Sequence, residues 1–472
     1  MLGVEPGSQL LFSEDDCSES VPAAGWRNGT SLNNAGENGN YWSSTPNESN
    51  TQNAVNLNFN SSNRNTNWNN RNNGRTVRPV VELTEEQAPP SARHFSISRE
   101  QLLLDLYRAY KDARRHKRGR KYQLAFEYRL EDNLVRLRDE IYNRTYLPAP
   151  STCFIIHDPK MREVFAASFR DRIVHHLFYN YTHILFERTF IADSYSCIKG
   201  RGTHYGIERL KHHIRSVSGG YSKPCYVLKL DVRGYFMSIN RQTLLRLCRE
   251  TLERMRRHAS DVVGQTWEER IDYGLVDYLL ETIVTPDPTE GCIRIGRAEE
   301  WSALAPEKSI FNAARDCGLP IGNLSSQLFS NVYLNVLDQY AKRRLGCRHY
   351  GRYVDDAYIV SGDRRWLRSL IPQIRLFMRA TLGLELNERK TRIYDVGRGV
   401  EFIGAYLLPF RSYVAAETLR RMRRKAGLLL RGRNARTGYA RAAVNSWLGV
   451  LSHYDSYCLR RVVFGRSMPA RG

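Results

Sequence analysis

The sequence predicts a mixed fold, α/β or α+β, with an Asn-rich N-terminal segment and a basic, helical C-terminal segment. Three observations support this expectation. Helical and strand-like patterns alternate over residues 160–410, as they do in mixed folds. Hydrophobic residues make up 42% of the chain and aromatic residues 11%, which is enough for a substantial core. The composition changes sharply near residue 80, before which Asn dominates.

The Asn-rich part comes first in the chain. Between Asn28 and Asn73, 18 of 46 residues are Asn, and Asn disfavours the interiors of both helices and strands. Thr84–Ser91 (TEEQAPPS) is typical of a linker. We therefore expect residues 1–92 to be a disordered, low-complexity segment with its linker, and residues 93–410 to form the folded body.

The body shows local helix and strand signals in sequence order. Ser98 and Gln101 have capping-box spacing before an apolar-periodic helix, which leads into the basic cluster RRHKRGRKY. That cluster is typical of a solvated face or of phosphate contacts. Further elements are predicted as a helix within Arg162–Phe190, a half-buried strand at Tyr226–Val232, a helix at Leu324–Leu337, and a hairpin at Arg352–Val360 with Asp-Asp at its turn. Residues 411–472 are expected to be helical and strongly basic.

The charge balance limits the function classes. The chain has 71 Lys and Arg against 49 Asp and Glu, a formal net charge of +22, which favours a polyanionic partner and nucleic acid before membrane. No run approaches the roughly 18 apolar residues of a membrane span. The start of the chain lacks a signal-peptide pattern, and C-x-x-C pairs are absent. We expect a reduced, cytoplasmic protein that binds or processes nucleic acid.

Three carboxylates are candidates for chemistry. Asp231 lies on the strand-like run YVLKLDV, and Asp355 and Asp356 lie at the predicted hairpin turn. A lone Asp on a strand is more often a turn residue or a strand-end cap, and an Arg side chain could neutralise the adjacent pair. The sharper interpretation is a Mg²⁺ site, because Mg²⁺ takes one or two carboxylates plus phosphate oxygens. Two such ions about 4 Å apart activate a 3′-hydroxyl and stabilise a leaving pyrophosphate; Mn²⁺ is an alternative ion.

Seven sequence blocks resemble the ordered motifs of reverse transcriptases. They are PKMREVFAASFRDRIVHH (159–176), FIADSYSCIKGRGTH (190–204), LDVRGYF (230–236), GLPIGNLSSQLFSNVYLNVLD (318–338), YVDD (353–356), LGLELNERKT (382–391) and EFIGAY (401–406). The resemblance implies an α+β right-hand polymerase of bacterial, phage or mobile-element origin. Its fingers and its antiparallel, helix-packed palm would span residues 93–410, and a helical thumb would span 411–472. It also implies Asp231, Asp355 and Asp356 as metal ligands, assisted by the Val232 carbonyl.

The same motifs imply nucleotide contacts. Phe236 matches an aromatic residue that blocks a ribose 2′-hydroxyl, although a plain core position is the alternative. Lys390 matches a Lys near the triphosphate. Lys160 and Arg162 match basic fingers residues, with Arg170 and Arg172 as competing choices. Charge-assisted bonds to phosphate oxygens explain why these residue types suit the task.

The block at 318–327 is similar to the reverse transcriptases of diversity-generating retroelements. Ile321 stands where many relatives carry a Gln that contacts the incoming nucleotide, and Ser326-Gln327 follows where they carry Ser-Pro. The resemblance places Ile321 and Gln327 among the nucleotide contacts. One packing contact is worth about 1–3 kcal/mol of discrimination, so we expect looser checking of base pairs.

The Asn-rich head fits the same assignment. It resembles the variable end of a C-type-lectin-fold target protein, and Asn codons begin with two adenines, the base that such elements mutate. We expect residues 1 to about 80 to be largely a template repeat read in frame; a genuine Asn-rich extension is the alternative. Expected partners are template RNA, cDNA, dNTPs and a small, basic, helical accessory protein.

Other assignments stay open on the sequence. A retron polymerase or a group II intron protein shares the palm motifs, although no His-Asn-His pattern and no zinc-type cysteine pairs occur in the sequence. The alternative from another functional class is a non-catalytic RNA-binding scaffold. Such a scaffold would be expected to lose one of the metal-binding acids, and all three are present in the sequence. Arg-rich stretches at 114–121 and 420–436 suit either function, because both use contacts to the phosphate backbone.

Overall fold

The computed structural model describes ten stretches of the chain, residues 26–28, 31–33, 39–46, 53–59, 64–70, 95–115, 119–158, 160–262, 271–429 and 438–464. The chain divides into two compact units, Met1–Arg93 and His94–Gly472, which are described separately below. The linker expected at Thr84–Ser91, and parts of both Arg-rich stretches, lie outside the described residues.

The described residues of the N-terminal unit form five strands, β1 (Trp26–Asn28), β2 (Ser31–Asn33), β3 (Gly39–Pro46), β4 (Asn53–Phe59) and β5 (Arg64–Asn70). They form an antiparallel β1-β2 pair and an antiparallel β3-β4-β5 sheet. The structure differs here from the expectation of a segment without regular elements. In β4, Val55, Leu57 and Phe59 alternate with Asn, a period of two that suits a strand despite the low strand preference of Asn.

The second unit has ten strands and fourteen helices among its described residues. Its strands are β6 (Thr152–Ile156), β7 (Arg162–Ala166), β8 (Tyr226–Leu230), β9 (Ile293–Ile295), β10 (Tyr350–Tyr353), β11 (Asp356–Ser361), β12 (Arg392–Asp395), β13 (Val400–Phe402), β14 (Ala405–Leu408) and β15 (Arg411–Val414). Its helices are α1 (Arg99–Arg114), α2 (Lys121–Glu127), α3 (Leu130–Tyr142), α4 (Phe169–Glu187), α5 (Thr203–Val217), α6 (Tyr235–Ser238), α7 (Arg241–Val262), α8 (Tyr273–Val284), α9 (Ala298–Ser302), α10 (Leu324–Gln339), α11 (Arg364–Leu382), α12 (Ala416–Leu429), α13 (Gly438–Leu451) and α14 (Tyr457–Phe464). The protein is therefore a mixed α+β protein, as the sequence predicts.

Helix starts follow the capping signals in the sequence. The Ser98 hydroxyl accepts a hydrogen bond from the Gln101 amide at 3.1 Å and caps α1. Ser168 caps α4 in the same way through the Asp171 amide at 3.1 Å. The helical stretch predicted within Arg162–Phe190 therefore begins at Phe169, because the residues before this cap form β7 and pair with β6.

The central sheet has the order β10-β11-β8-β12 and is antiparallel throughout. Its two faces follow the period of two. Leu228 and Ile359 pair across β8 and β11 and face the main core, formed with α1, α4, α7, α8, α10 and α11. Val227 and Val360 pair on the opposite face, which packs on α5 and on the small β13-β14-β15 sheet. Both faces of the sheet are thus covered.

The C-terminal helices are anchored on the β13-β14-β15 sheet. Ser412 in β15 donates its amide to the Asp455 carboxylate at 2.8 Å and accepts the Asp455 amide at 2.9 Å. The predicted boundary between residues 410 and 411 therefore falls inside this sheet, because β15 pairs with β14. A second attachment joins α12 to the β6–β7 hairpin, because Lys425 of α12 forms an ion pair with Asp158 in the turn between these strands.

No helix among the described residues is both long enough and apolar enough to cross a membrane.

The hairpin of β10 and β11 contains a glycine that the packing requires, and this gives a first prediction. A Cβ atom on Gly351 would lie 2.3 Å from the Tyr195 hydroxyl and 2.6 Å from the Tyr358 hydroxyl, which are buried and hydrogen-bonded to each other. We expect Gly351→Ala to lower the free energy of unfolding by about 1–3 kcal/mol, measured by urea denaturation.

A matched control uses Gly449 in α13, where an added Cβ would meet no atom within 4 Å. Gly449→Ala should be neutral or stabilising by up to about 1 kcal/mol, because Ala favours the helix. Equal stability of Gly351→Ala and the wild type would show that the hairpin tolerates the extra methyl group.

Candidate active site

The three aspartates meet at one end of the central sheet. Leu230 pairs with Ala357, so Asp231 and Asp356, the next residues of each strand at that end, occupy neighbouring strand ends. Asp355 lies in the turn between β10 and β11, closed by the pairing of Tyr353 with Asp356. The strand and hairpin predicted from the sequence are confirmed, and together they bring Asp231 beside residues more than 120 positions later.

A short extended segment after α11 fixes the backbone on the other side of Asp231. Asn387 donates its amide to the Asp231 carbonyl at 2.8 Å, and Arg233 donates to the Glu385 carbonyl at 2.9 Å. Val232 and Leu386 lie opposite each other between these two bonds. In such a pair, the N–H and C=O of Val232 point away from residues 385–387 and toward the side of the hairpin.

Burial and nearby negative charge raise the pKa of Asp355 and of Asp356. The pKa of Asp355 is raised to about 6, first by burial and then by the negative charges of Asp356 and Asp231. The pKa of Asp356 is raised mainly by burial, and Asp231 adds to the effect, while Lys229, Lys160 and Lys390 oppose it. A site that disfavours its own negative charge is suited to a bound cation.

Cationic side chains surround the carboxylates. Lys390 contacts both oxygens of Asp231, at 3.1 and 3.2 Å. A cleft of about 310 Å³ opens at this point. Its lining combines two acids with several bases: Lys229, Leu230, Asp231, Asp356, Arg389, Lys390, Arg392 and Tyr394. A lining of two acids and four bases matches a polyphosphate that carries its own divalent cation.

The donor set fits Mg²⁺ or Mn²⁺ in part. Within the described stretches of the chain, no group of three or more His, Cys, Asp and Glu side chains is arranged to hold an ion. Mg²⁺ does not need such a cage, because one or two carboxylates suffice when substrate phosphates and water complete the octahedron. Asp231 and Asp356 supply hard oxygen ligands at adjacent strand ends, and Lys390 already places a positive charge on Asp231.

Backbone hydrogen bonds connect the segments that carry Phe236 and Ile321 to each other and to β7. Phe236 is half-buried in α6, and its carbonyl accepts the Leu319 amide at 2.8 Å. The Ile321 carbonyl accepts the Phe165 amide at 2.9 Å, which ties the segment to β7. Gly322 has φ +130°, and a Cβ atom there would lie 2.7 Å from the Phe165 carbonyl oxygen. The segment 318–323 thus joins β7 to α6, and its close approach requires a glycine.

The basic residues of the fingers motif separate into two groups. Lys160 and Arg162 are exposed, and Lys160 is close enough to influence Asp356. Arg170 instead forms an ion pair with Glu140 and donates to the Leu147 carbonyl at 3.0 Å. Arg172 donates to the Ala167 carbonyl at 2.9 Å. Both competing arginines are therefore used in structural contacts.

Gln327, the last predicted nucleotide contact, is exposed on the first turns of α10. It shares that helix with the buried residues Ser325 and Ser326. The structure places Gln327 at the surface and does not itself assign it a contact.

Sequence analysis does not single out Arg352 and Asp338, which form an ion pair behind the carboxylate turn. Both side chains are fully buried, at 0% exposure, and their closest atoms are 2.7 Å apart. The available signal is a charged residue within each of two apolar patterns, the Asp that ends SNVYLNVLD and the Arg before YVDD. Only the fold brings the two together.

Comparisons with known proteins give three kinds of match. A family model described as a domain of unknown function (DUF8237) matches residues 12–80. Protein YkfC of Escherichia coli (strain K12) is 26% identical over 318 residues, covering 60% of this chain and 73% of that protein.

Solved structures similar to this chain include two telomerases. Apo telomerase from Candida tropicalis, truncated from its C-terminal domain, has a TM-score of 0.40 and 12% identity over 57% of this chain. Telomerase from Candida albicans, in complex with a TWJ fragment of telomeric RNA, has a TM-score of 0.38 and 11% identity over 67%. The chain spans 56% and 58% of these two telomerase chains.

The raised pKa of Asp355 gives a prediction for stability against pH. Because the folded state favours protonated Asp355, this group stabilises the fold at low pH, and that contribution is lost as the pH rises through about 6. We expect Asp355→Asn to be more stable than the wild type at pH about 7 by about 1–3 kcal/mol without metal, and the difference to vanish below pH about 4.

Asp193 provides a control of opposite sign. Its pKa is lowered although burial opposes ionisation, because Arg209 donates to its carboxylate at 2.7 Å. Asp193→Asn should therefore be less stable than the wild type at neutral pH. This difference should shrink on acidification, because the wild type then loses the stabilisation that ionised Asp193 provides. Urea denaturation in a chelator at several pH values measures both variants, and a destabilised Asp355→Asn at neutral pH would contradict the assignment.

Proposed function

We propose that the protein is an RNA-directed DNA polymerase with Asp231, Asp355 and Asp356 as its catalytic carboxylates. The observation that carries this proposal is their convergence at one end of an antiparallel sheet, next to a basic cleft. The ordered reverse transcriptase-like blocks of the sequence provide independent support, because their acidic positions are the ones that converge.

The carboxylates would hold Mg²⁺, or Mn²⁺ in its place, together with the Val232 carbonyl. When bound, two divalent ions activate the 3′-hydroxyl of the primer and stabilise the departing pyrophosphate. Asp231 and Asp356 orient this centre from adjacent strand ends, and Asp355 adds negative charge from the turn. Burial raises the pKa of Asp355 and of Asp356, so their ionisation is disfavoured until a cation is present.

The cationic residues bind the dNTP. Lys390 reaches the edge of the carboxylate cluster and is positioned to exchange Asp231 for a phosphate oxygen. Lys160 and Arg162 lie free on the β6–β7 hairpin and serve as triphosphate contacts. Phe236 selects against a ribose 2′-hydroxyl from α6, and Gln327 contributes from α10. Template RNA and the cDNA product are the polyanions that the net charge of +22 favours.

The polymerase is further assigned to a diversity-generating retroelement, in which cDNA copied from a template repeat diversifies a target gene. Ile321 supports this assignment because its side chain cannot donate the hydrogen bond that Gln gives. The family match confined to residues 12–80 supports treating the Asn-rich head as a separate unit, either a template repeat read in frame or a genuine extension. A small, basic, helical accessory protein is the expected partner.

The decisive experiment is cDNA synthesis on the element's own RNA with Mg²⁺, four dNTPs and the accessory protein, followed by sequencing of the products. We expect cDNA with errors concentrated opposite template adenines. The Asp355→Ala, Asp356→Ala double variant should lose synthesis by several orders of magnitude, because it removes two metal ligands, and it also controls for contaminating polymerase.

Other outcomes distinguish the alternatives. If cDNA forms with evenly rare errors, the enzyme is a reverse transcriptase of the retron or group II intron kind without a mutagenic role. If RNA binds but the wild type makes no cDNA, the chain is a non-catalytic RNA-binding scaffold.

Ile321 provides a prediction about fidelity. Its backbone bond to Phe165 does not depend on its side chain, so Ile321→Gln should fold normally. We expect the variant to reduce errors opposite adenine roughly tenfold, since one added contact is worth about 1–3 kcal/mol of discrimination. Ile321→Val retains the apolar character and serves as the matched control. If the wild type, Ile321→Gln and Ile321→Val all give the same error spectrum, the Ile321 side chain does not influence fidelity.

A further inference from the structure

Arg352 and Asp338 form a two-point ion pair beneath the carboxylate turn. The Arg352 Nε donates to one oxygen of Asp338 at 2.8 Å, and Nη2 donates to the other at 2.7 Å. Both residues are completely buried, Arg352 in β10 and Asp338 near the end of α10. A buried pair of this geometry fixes two elements against each other, since either charge alone would be very costly.

A third bond from the same guanidinium reaches the turn itself. Arg352 Nη1 donates to the Val354 carbonyl at 2.8 Å and to the Asn331 side chain at 3.2 Å. Val354 has φ +54°, a left-handed conformation that is unfavourable for a β-branched residue. It immediately precedes Asp355, so its conformation determines the direction in which the chain enters the two aspartates.

The surroundings leave Arg352 little freedom. Its own amide donates to the Asp193 carbonyl at 2.9 Å, and its carbonyl accepts the Tyr195 amide at 3.0 Å. On the partner side, the Tyr350 hydroxyl donates to Asp338 at 2.6 Å. Arg352 is thus held through its backbone and its side chain, and it transmits this rigidity to the Val354 carbonyl.

We propose that Arg352 is a positioning residue that holds the left-handed turn at Val354 and thereby sets the metal-ligand geometry of Asp355 and Asp356. This inference rests on the proposed metal-dependent function of those aspartates. A guanidinium suits the role because its planar fork offers five donors and can serve a carboxylate and a carbonyl at the same time. A Lys ammonium can keep a positive charge opposite Asp338, and apolar side chains can fill the space of the ion pair. Neither provides the planar fork that also holds the Val354 carbonyl.

The test separates packing from positioning with the triple variant Arg352→Met, Asp338→Leu, Tyr350→Phe. Replacing a buried ion pair by apolar residues is often neutral for stability, and the third change removes the hydroxyl that would lose its acceptor. We expect a Tm close to that of the wild type in the absence of metal. We also expect Mn²⁺ affinity, measured by electron paramagnetic resonance of the free ion, to fall roughly tenfold or more.

Two further variants complete the design. Arg352→Lys retains a charge for Asp338 but loses the fork, and it should weaken Mn²⁺ binding even if the triple variant does not fold. Tyr358→Phe removes a buried hydroxyl from the same hairpin, one that contacts Tyr195 and His213 and not the turn. It should retain the wild-type Mn²⁺ affinity.

Each outcome is decisive. Wild-type Mn²⁺ affinity in a folded triple variant, or in Arg352→Lys, would overturn the positioning role and leave Arg352 a packing residue. If the wild type binds Mn²⁺ through Asp355 and Asp356 but synthesises no cDNA, the polymerase proposal fails while the positioning role is still tested by affinity. Absence of aspartate-dependent Mn²⁺ binding in the wild type would overturn both.

Discussion

The buried ion pair between Arg352 and Asp338 is the constraint around which the candidate site is arranged. It joins the end of α10 to β10, and the same guanidinium holds the carbonyl of Val354. Its net contribution to stability is small, because desolvation offsets much of the attraction, yet losing one partner would leave an uncompensated charge in the core. Its value therefore lies in specifying one arrangement of helix, strand and turn.

The sheet explains why the acidic groups lie where they do. Both faces of β8 and β11 are covered, one by the helical core and the other by α5 and the small sheet. Buried acidic side chains are costly in the middle of these strands and are tolerated at the strand ends, where Asp231 and Asp356 lie. Convergence of acids at this edge follows from burying both faces.

The sequence predicts the local parts of this arrangement and not its long-range parts. The hairpin around Asp355 and the Ser98 cap follow from signals within a few residues, and both are found. The link between Arg352 and Asp338 depends on tertiary packing. So does the pairing of β15 with β14, and the predicted thumb boundary falls between these two strands. The strands of the Asn-rich segment differ from expectation because alternation of apolar residues outweighs the preference of single Asn residues.

In the segment 318–323, the side chain at position 321 can vary without rearranging the fold. Its attachments to β7 and α6 use the carbonyl of Ile321 and the amide of Leu319, which every residue type except Pro can supply in the same way. Gly322 is different, because its backbone approaches Phe165 too closely for any side chain. Position 321 is therefore free to change its side chain chemistry while its neighbour is not. Under the proposed function, a change of side chain at this position would alter nucleotide discrimination at little cost to the structure that holds it.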